Sequence, residues 1–376
     1  MTRSRQIYFN SLPIFPEQLT SSADLRFTVT DTLRSLLRET NYTLCTPSQA
    51  GSDSAISLDA LKTHNSVYQA SMSRQFAANL ALGIEQATFK DEPEDWFIKT
   101  ADFGDDCDRI LQHRDGQFTQ LFEDLARYHA IFQEGYDKII LLRPPTYIGY
   151  DRQLTAAMQC LGYTKEQFQF IIVQPLKLYA FHQPTQRVHA IPDLAVEELL
   201  KVVSMDTLSW YSLRVPLTDV APINISTAGQ PTPVNSLYCV QSTYARCSVL
   251  LKQADKQGFI QANTSQKENW QTSSTYASIA ESSWGSPHAE KLANQLRSTS
   301  TVLQQAAAEI APHLVCQHLE SISAICHQWL ENIELTQQGC TLLLAAKQTI
   351  YELLENILEI QALESIQIDG KVTKAA

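Results

Sequence analysis

Three regimes of hydrophobic patterning follow one another along the chain. Up to about residue 90, apolar residues recur at helical intervals only toward the end of Leu25–Arg38 (Val29, Leu33, Leu36, Leu37), which predicts an amphipathic helix. Pro47–Ser54 is loop-like in composition, and Val67–Leu82 reads as a second helix. From residue 115 helix and strand alternate. Asp115-Gly116 is a turn signal, and Leu121–Gln133 has helical periodicity. Lys138-Ile-Ile-Leu-Leu, closed by Pro144-Pro145, is a short continuous apolar run that suits a strand buried on both faces. Asp151–Cys160 predicts a helix ending at a Leu161-Gly162 glycine cap, and Phe168-Gln-Phe-Ile-Ile-Val a second strand, which together make a βαβ unit. Beyond Pro216 the pattern turns helical. Amphipathic helices are expected at roughly 288–310, 313–332 and 338–359, with Leu314, Leu319, Ile322, Ile325 and Leu330 spaced three to five apart. Short links between them predict antiparallel neighbours in a bundle. A Ser/Thr/Gln/Asn-rich insert at 256–287 is too polar to build a core and is expected to be a mobile loop.

Charge and cysteine usage narrow the chemistry. At 376 residues the chain has room for two or three domains. Its formal charge is −11, and the tail from residue 234 carries 9 Lys+Arg against 13 Asp+Glu. Phosphate backbones are held mainly by Lys and Arg, so this balance opposes general nucleic-acid affinity and leaves only a local patch. DNA binding is not expected. The eight cysteines form no Cys-x-x-Cys pair and read as reduced, mostly buried thiols. A zinc set from Cys316, His318, Cys326 and His327 is conceivable, but its spacing fits no usual ligand pattern, and no metal is expected. Asp105-Asp106-Cys107-Asp108 can be drawn as a divalent-metal cluster, against the plainer reading of a solvated loop and helix start. Met1-Thr-Arg-Ser-Arg-Gln is followed by Pro13, Pro16 and Glu17 rather than an apolar signal-like run, and no stretch approaches ~20 apolar residues. A cytoplasmic protein with no membrane contact is therefore expected.

Two stretches carry a resemblance. Asn235-Ser-Leu-Tyr-Cys-Val-Gln-Ser-Thr-Tyr-Ala-Arg246 is similar to Asn-Pro-x-Tyr-x-Val-Gln-Tyr-Ala-His-Ala-Arg, which opens the anticodon-binding helical domain of arginyl-tRNA synthetases. Asp115-Gly-Gln-Phe-Thr119, Asp124-Leu-Ala-Arg-Tyr128-His129 and Glu134-Gly135-Tyr-Asp137-Lys138-Ile-Ile140 resemble the second half of that family's catalytic core, with one extra residue. Ala156–Tyr163 and Val173-Gln174 continue the match. In the tail, Leu303–His313 and Leu353–Leu358 resemble further helices of the domain, which is of the DALR type. Val67–Leu82 also resembles, weakly, a helix of the family's N-terminal accessory domain. The resemblance implies a fold of class α/β plus all-α: a partial class I synthetase (Rossmann-type) βαβ remnant followed by a DALR-type helical bundle. The implied domains are 1–95, unassigned or accessory-domain-like α/β; 96–215, a degenerate half-core; and 216–376, the helical domain.

The catalytic signatures of that family do not stand in this sequence. No His-x-Gly-His occurs, and Pro184–Pro192, where a Lys-Met-Ser-Lys-Ser loop would fall, contains no lysine. Thr146, Tyr147 and Ile148 stand where the family has Asp-His-His. Such groups offset charge in the transition state, and removing one donor typically costs ~10²–10³ in rate. The expectation is a protein that is not an enzyme and holds no cofactor: a degenerate arginine-tRNA ligase that acts by binding. A half-core also leaves a sheet edge unpaired, so either residues 1–110 cover it or a partner chain does.

Two functions follow from the resemblance. In the first the chain binds tRNA, namely the anticodon arm of arginine tRNAs, or a tRNA-handling partner. Its contact residues by position are Asn235, Tyr238, Gln241, Tyr244 and Arg246, with His327 and Trp329 on a later helix. Aromatics can stack on splayed bases, and Arg can make bidentate phosphate or base contacts. Tyr238 and Trp329, at helical spacing among apolar neighbours, also read as core. Tyr244 and Ser242 replace the family's His and Tyr. In the second function, a protein-interaction scaffold has kept the fold and lost RNA binding. An accessory subunit of a modifying enzyme, and a small-molecule sensor built on Asp124 and Tyr128, are further alternatives.

Overall fold

The structure is a computed structural model. It describes residues 5–11, 30–38, 42–45, 61, 65–71, 94–182, 187–192, 194–260, 284, 286–331, 333, 335–365, 367–368 and 371–372. Most of the polar insert, and residues 72–82 of the segment read as a second helix, lie outside this set. The chain divides into two compact units, one of residues 1–12 and 41–173, the other of 13–40 and 174–376.

In the first unit, β1 (Arg5–Ser11), β2 (Tyr42–Cys45), β6 (Lys138–Arg143) and β7 (Phe168–Ile172) form a parallel sheet in the order β2-β1-β6-β7. Between β1 and β2 in sequence stands α1 (Thr30–Arg38), part of the second unit. The apolar run at β6 is buried from Ile139 through Arg143, as a central strand requires. Its open edge is taken by β1, with Ile7 opposite Lys138 and Ser11 opposite Leu142. Of the two ways foreseen to cover that edge, the chain's own N-terminal segment is the one realised at β6. The expected βαβ unit is present, its crossover built on α3 (Ile148–Cys160). That helix stops at Gly162, whose φ of +91° is open to glycine, with Tyr163 N–H donating to the Met158 carbonyl.

A second, antiparallel sheet joins β3 (Val67–Ser71), β4 (Glu94–Ile98) and β5 (Arg109–Gln112). Residues 67–71 are thus a strand and not the expected helix. Val67 and Ala70 are buried against β4, and the Tyr68 ring stacks on Phe97 at 5.7 Å. This cross-strand pairing outweighs a helical pattern that local sequence supports only weakly. α2 (Gln120–Gln133) starts at the Thr119 cap, whose Oγ1 accepts from Phe122 N–H, and buries Leu125 and Tyr128 in the core shared with Ile139 and Leu154.

The second unit opens with β8 (Leu176–His182) and β9 (Arg187–Ala190). The short α4 (Val196–Leu200), α5 (Met205–Leu213), β10 (Ala221–Asn224) and α6 (Ile225–Ala228) follow. β10 pairs in parallel with β8, so the region just past Pro216 is not wholly helical as expected. Then come α7 (Ser236–Lys256), α8 (Pro287–Arg297), α9 (Thr299–Glu309), α10 (His313–Leu330) and α11 (Gln337–Tyr351), which continues as a π-helical stretch over Glu352–Ile357. The helix expected over 288–310 is two helices. The Ser298 hydroxyl donates back to the Gln295 carbonyl at the junction, a bond that bends helices. α7 packs on α10 and α11, and α1 on α9, with Leu33 and Leu36 fully buried. The architecture is α/β followed by an all-helical part.

Candidate nucleic-acid interface

α7 begins where an asparagine can cap it. Asn235 Oδ1 accepts from Tyr238 N–H at 3.3 Å, while Nδ2 donates to the carbonyls of Ala228 (2.6 Å) and Gln230 (3.1 Å). One buried side chain therefore satisfies the helix start and ties it to the end of α6. Gln241 is also buried, and its Nε2 donates to the Gln361 carbonyl at 2.8 Å. Tyr244 is packed between Tyr351, with ring centroids 6.4 Å apart, and Lys347, whose ammonium lies 5.1 Å from the ring centroid. Lys347 and Lys252 both reach Glu364, at 3.1 and 3.4 Å. Burial raises the Glu364 carboxyl, but the lysine hydrogen bonds and charges outweigh it and hold the group below its usual range. Tyr238 is half-buried near the start of α7.

Arg246 and His327 are brought together from helices 81 residues apart in sequence. Arg246 Nη1 donates to His327 Nδ1 at 2.7 Å. A guanidinium has no acceptor, so this imidazole is neutral, with its proton on Nε2 directed at Ser242 Oγ, 3.4 Å away. Ser242 donates in turn to the Cys239 carbonyl at 2.9 Å. Burial, reinforced by the Arg246 charge, holds the His327 imidazole below the usual histidine range. The result is a half-exposed arginine whose head is fixed in orientation by a neutral histidine.

Trp329 is only 8% exposed and forms part of the wall of a cavity of about 310 Å³, beside Trp284, His288 and Gln328. Of the seven residues picked from the sequence, Arg246 and His327 meet directly. Asn235, Gln241 and Tyr244 make internal contacts, and Trp329 faces a separate hollow. Of the four residues of the conceivable zinc set, His318 bonds Gln295 and Thr299, His327 bonds Arg246, and Cys326 Sγ lies 3.9 Å from Cys247 Sγ. In the first unit, Asp105 pairs with Arg109, Asp106 with Arg152, and Asp108 accepts from the Tyr68 hydroxyl.

A second polar cluster sits at the carboxyl end of β6. Arg143 Nη2 donates to the Tyr128 hydroxyl at 3.2 Å, and Nε lies 3.6 Å from Asp151 Oδ1. Its guanidinium carbon stands 5.4 Å from the Tyr147 ring centroid and 5.9 Å from that of Phe170. Asp124 accepts from Tyr150 at 2.6 Å and from Arg127 at 3.1 Å. Burial pushes the Asp151 carboxyl up to about 7 despite Arg143, and Asp124 adds to the rise. Sequence reading singled out Asp124 and Tyr128 but passed over Arg143 and Asp151. The available signal was an arginine closing an otherwise apolar strand, at the strand end where parallel sheets place ligands.

Residues 240–366 match the family model of the DALR anticodon binding domain. The chain is 26% identical over 272 residues to an arginine–tRNA ligase of Oceanobacillus iheyensis, an overlap covering 70% of this chain and 46% of that protein. It is 27% identical over 213 residues to the arginine–tRNA ligase of Gloeobacter violaceus, covering 53% and 35%. The chain thus spans less than half the length of these relatives. Among solved structures, Thermus thermophilus arginyl-tRNA synthetase superposes with a TM-score of 0.58 at 14% identity, over 89% of this chain and 59% of that one. Mycobacterium tuberculosis methionyl-tRNA synthetase gives 0.54 at 10% identity, over 95% and 90%. At these identities the superpositions speak for the fold. The chain is a relative of arginyl-tRNA synthetases that carries a DALR anticodon-binding domain.

Proposed function

We propose that this chain acts by binding the anticodon arm of tRNA, arginine tRNAs above all, through its helical unit, and that it does not activate an amino acid. The observation that carries the reading is Arg246, inside the DALR match and held by His327 with further guanidinium N–H donors at a half-exposed position. A pre-oriented fork of this kind suits bidentate contact with a phosphate or base edge. The silent-enzyme half is supported by the sequence, which has no His-x-Gly-His and no lysine at 184–192. It is supported too by the end of β6, where the chain's own Arg143 lies beside Asp151 and Tyr128.

Labelled total tRNA titrated against the purified protein at about 0.15 M salt tests the reading. Saturable binding that weakens about tenfold in Arg246→Ala, a loss of about 1.4 kcal/mol, is expected. Competition by an arginine isoacceptor should exceed that by other tRNAs. No saturable binding would turn the reading toward a protein scaffold. Exchange of pyrophosphate into ATP on addition of arginine would refute the silent-enzyme half.

A further inference from the structure

We infer that Lys252, Lys347 and Tyr351 form a second contact for an RNA strand, which Glu364 covers in the free chain. The inference rests on the reading that this chain binds tRNA, and all four residues fall within the DALR match. Two of the few basic residues of the tail converge here, Lys252 from α7 and Lys347 from α11. Their ammonium groups share one partner, with Lys347 at 3.1 Å from Glu364 Oε1 and Lys252 at 3.4 Å from Oε2. Two like charges this close repel unless an anion stands between them. Glu364 occupies the place that a phosphate would take, since each offers separate oxygens to the two ammonium groups. Beside the lysines stands an aromatic stack. Lys347 Nζ lies 5.1 Å from the Tyr244 ring centroid, and the Tyr244 and Tyr351 rings stack at 6.4 Å. Tyr244 is buried, whereas Tyr351 is 43% exposed. Lysines next to an exposed ring are the combination that holds a polynucleotide, the charges on its backbone and the ring under a base. An acidic peptide would use the lysines and leave the ring idle.

The segment that carries Glu364 lies across α7 and α11 as a strap. The chain reverses at Glu359, a non-glycine residue at φ +55°. Ile360 is fully buried, and its N–H donates to the Leu354 carbonyl at 2.9 Å. Gln361 N–H donates to Asp206 Oδ2 at 3.1 Å, and its carbonyl accepts from Gln241. Ala362 N–H donates to Glu355 Oε1 at 2.8 Å. Glu364 reaches the lysines two residues beyond the last of these anchors. Turning its side chain out to solvent breaks two ion pairs and leaves the anchors in place. The Lys252 and Glu364 side chains are 30% and 31% exposed, and ion pairs at such exposure are weak and screened by salt. A phosphate that takes the carboxylate's place restores both charge-assisted bonds, so the exchange costs little. Glu364 is thus an internal competitor. It keeps the Lys347 ammonium, on a side chain only 9% exposed, from being left as an unpaired charge, and it lowers affinity for polyanions that offer no base to Tyr351.

The test titrates labelled total tRNA against the full chain at several salt concentrations, with melting followed by circular dichroism as the check on folding. Glu364→Gln removes the charge and keeps an acceptor for one lysine. It should bind tRNA about threefold tighter or more, with a slope of log affinity against log salt steeper by about one. Lys252→Ala or Tyr351→Leu, each added to Glu364→Gln, should take that gain away. Glu309→Gln, at an exposed carboxylate on α9, makes the same change in net charge and should leave affinity within about twofold of the parent. Glu364→Gln binding no tighter than the parent would overturn the inference, as would a gain that Glu309→Gln reproduces or that survives both second substitutions. Polyglutamate that competes with tRNA on Glu364→Gln as well as an oligoribonucleotide of equal charge would overturn the RNA assignment in favour of an acidic peptide. If neither the parent nor Glu364→Gln binds tRNA, this inference and the anticodon reading fall together. If Glu364→Gln gains affinity while Arg246→Ala changes nothing, only the Arg246 contact falls.

Discussion

His327 Nδ1 accepts a hydrogen bond from Arg246 Nη1 at 2.7 Å, so a half-buried neutral imidazole from α10 aims the one half-exposed arginine proposed to touch tRNA. The pair joins two helices, and neither member could hold this geometry alone. Protonating the histidine would set two cations against each other.

Removing the arginine should therefore be visible at the histidine. In Arg246→Ala the His327 imidazole is expected to titrate at higher pH than in the parent chain, because one of the two effects lowering it is gone. Its ring-proton shifts followed by NMR across pH 4–8 would show this. An unchanged midpoint would mean that burial alone sets the value.

His318 makes the helical unit sensitive to acid. Burial pushes its imidazole down to about 4, and both ring nitrogens are used, by Gln295 and Thr299 at 2.9 Å each. A histidine whose folded pKa lies below its unfolded one binds fewer protons when folded, so stability falls as pH falls. The loss should begin near the unfolded value and level off below about 4. It amounts to on the order of 3 kcal/mol. Urea midpoints of helical content at pH 7 and pH 5 should differ less in His318→Gln than in the parent; equal differences would exclude His318 as the cause.

Asp151 should act in the opposite direction on the first unit. Its folded pKa is raised to about 7, so its contribution is fully present at low pH and is lost as pH rises through that value. Amide exchange protection in β6 and α3, corrected for intrinsic rates, is expected to decline between pH 6 and 8. Asp151→Asn should flatten that decline, and a variant with the parent's slope would argue against the assignment.

Asn235 offers a test of stability without charge. Asn235→Ala removes a cap and two buried amide donors, which leaves the carbonyls of Ala228 and Gln230 without them. A loss of about 1–3 kcal/mol is expected. Asn235→Asp keeps the cap acceptor but not the donors and should fall between. Chemical denaturation followed by near-UV circular dichroism would rank the three proteins, and an Asp variant as weak as the Ala one would show that the cap contributes little.

Much of the fold was legible because its cues are local. The apolar run at Ile139–Leu142, the Gly162 stop and the helical spacing across 313–330 each depend on residues within a few positions of one another. Asn235, picked from the sequence as an RNA contact, instead caps α7 from a buried position. The misreadings arose where local cues were weak: residues 67–71 took strand conformation from pairing with β4, and Ala221–Asn224 from pairing with β8.

By itself the sequence determined the strand–helix–strand order from β6 to β7, the Gly162 stop, the helical character of 313–330, the likeness to an anticodon-binding domain, and the lack of His-x-Gly-His and of lysine at 184–192. Tertiary structure alone decided that β1 closes the edge of β6, that Arg246 meets His327, and that Arg143 and Asp151 share one buried corner. The physical reason is the range of the interactions. Periodicity and capping are set by neighbours in the chain, whereas pairing, burial and shifted protonation arise between residues that only the packed fold brings within a few ångströms.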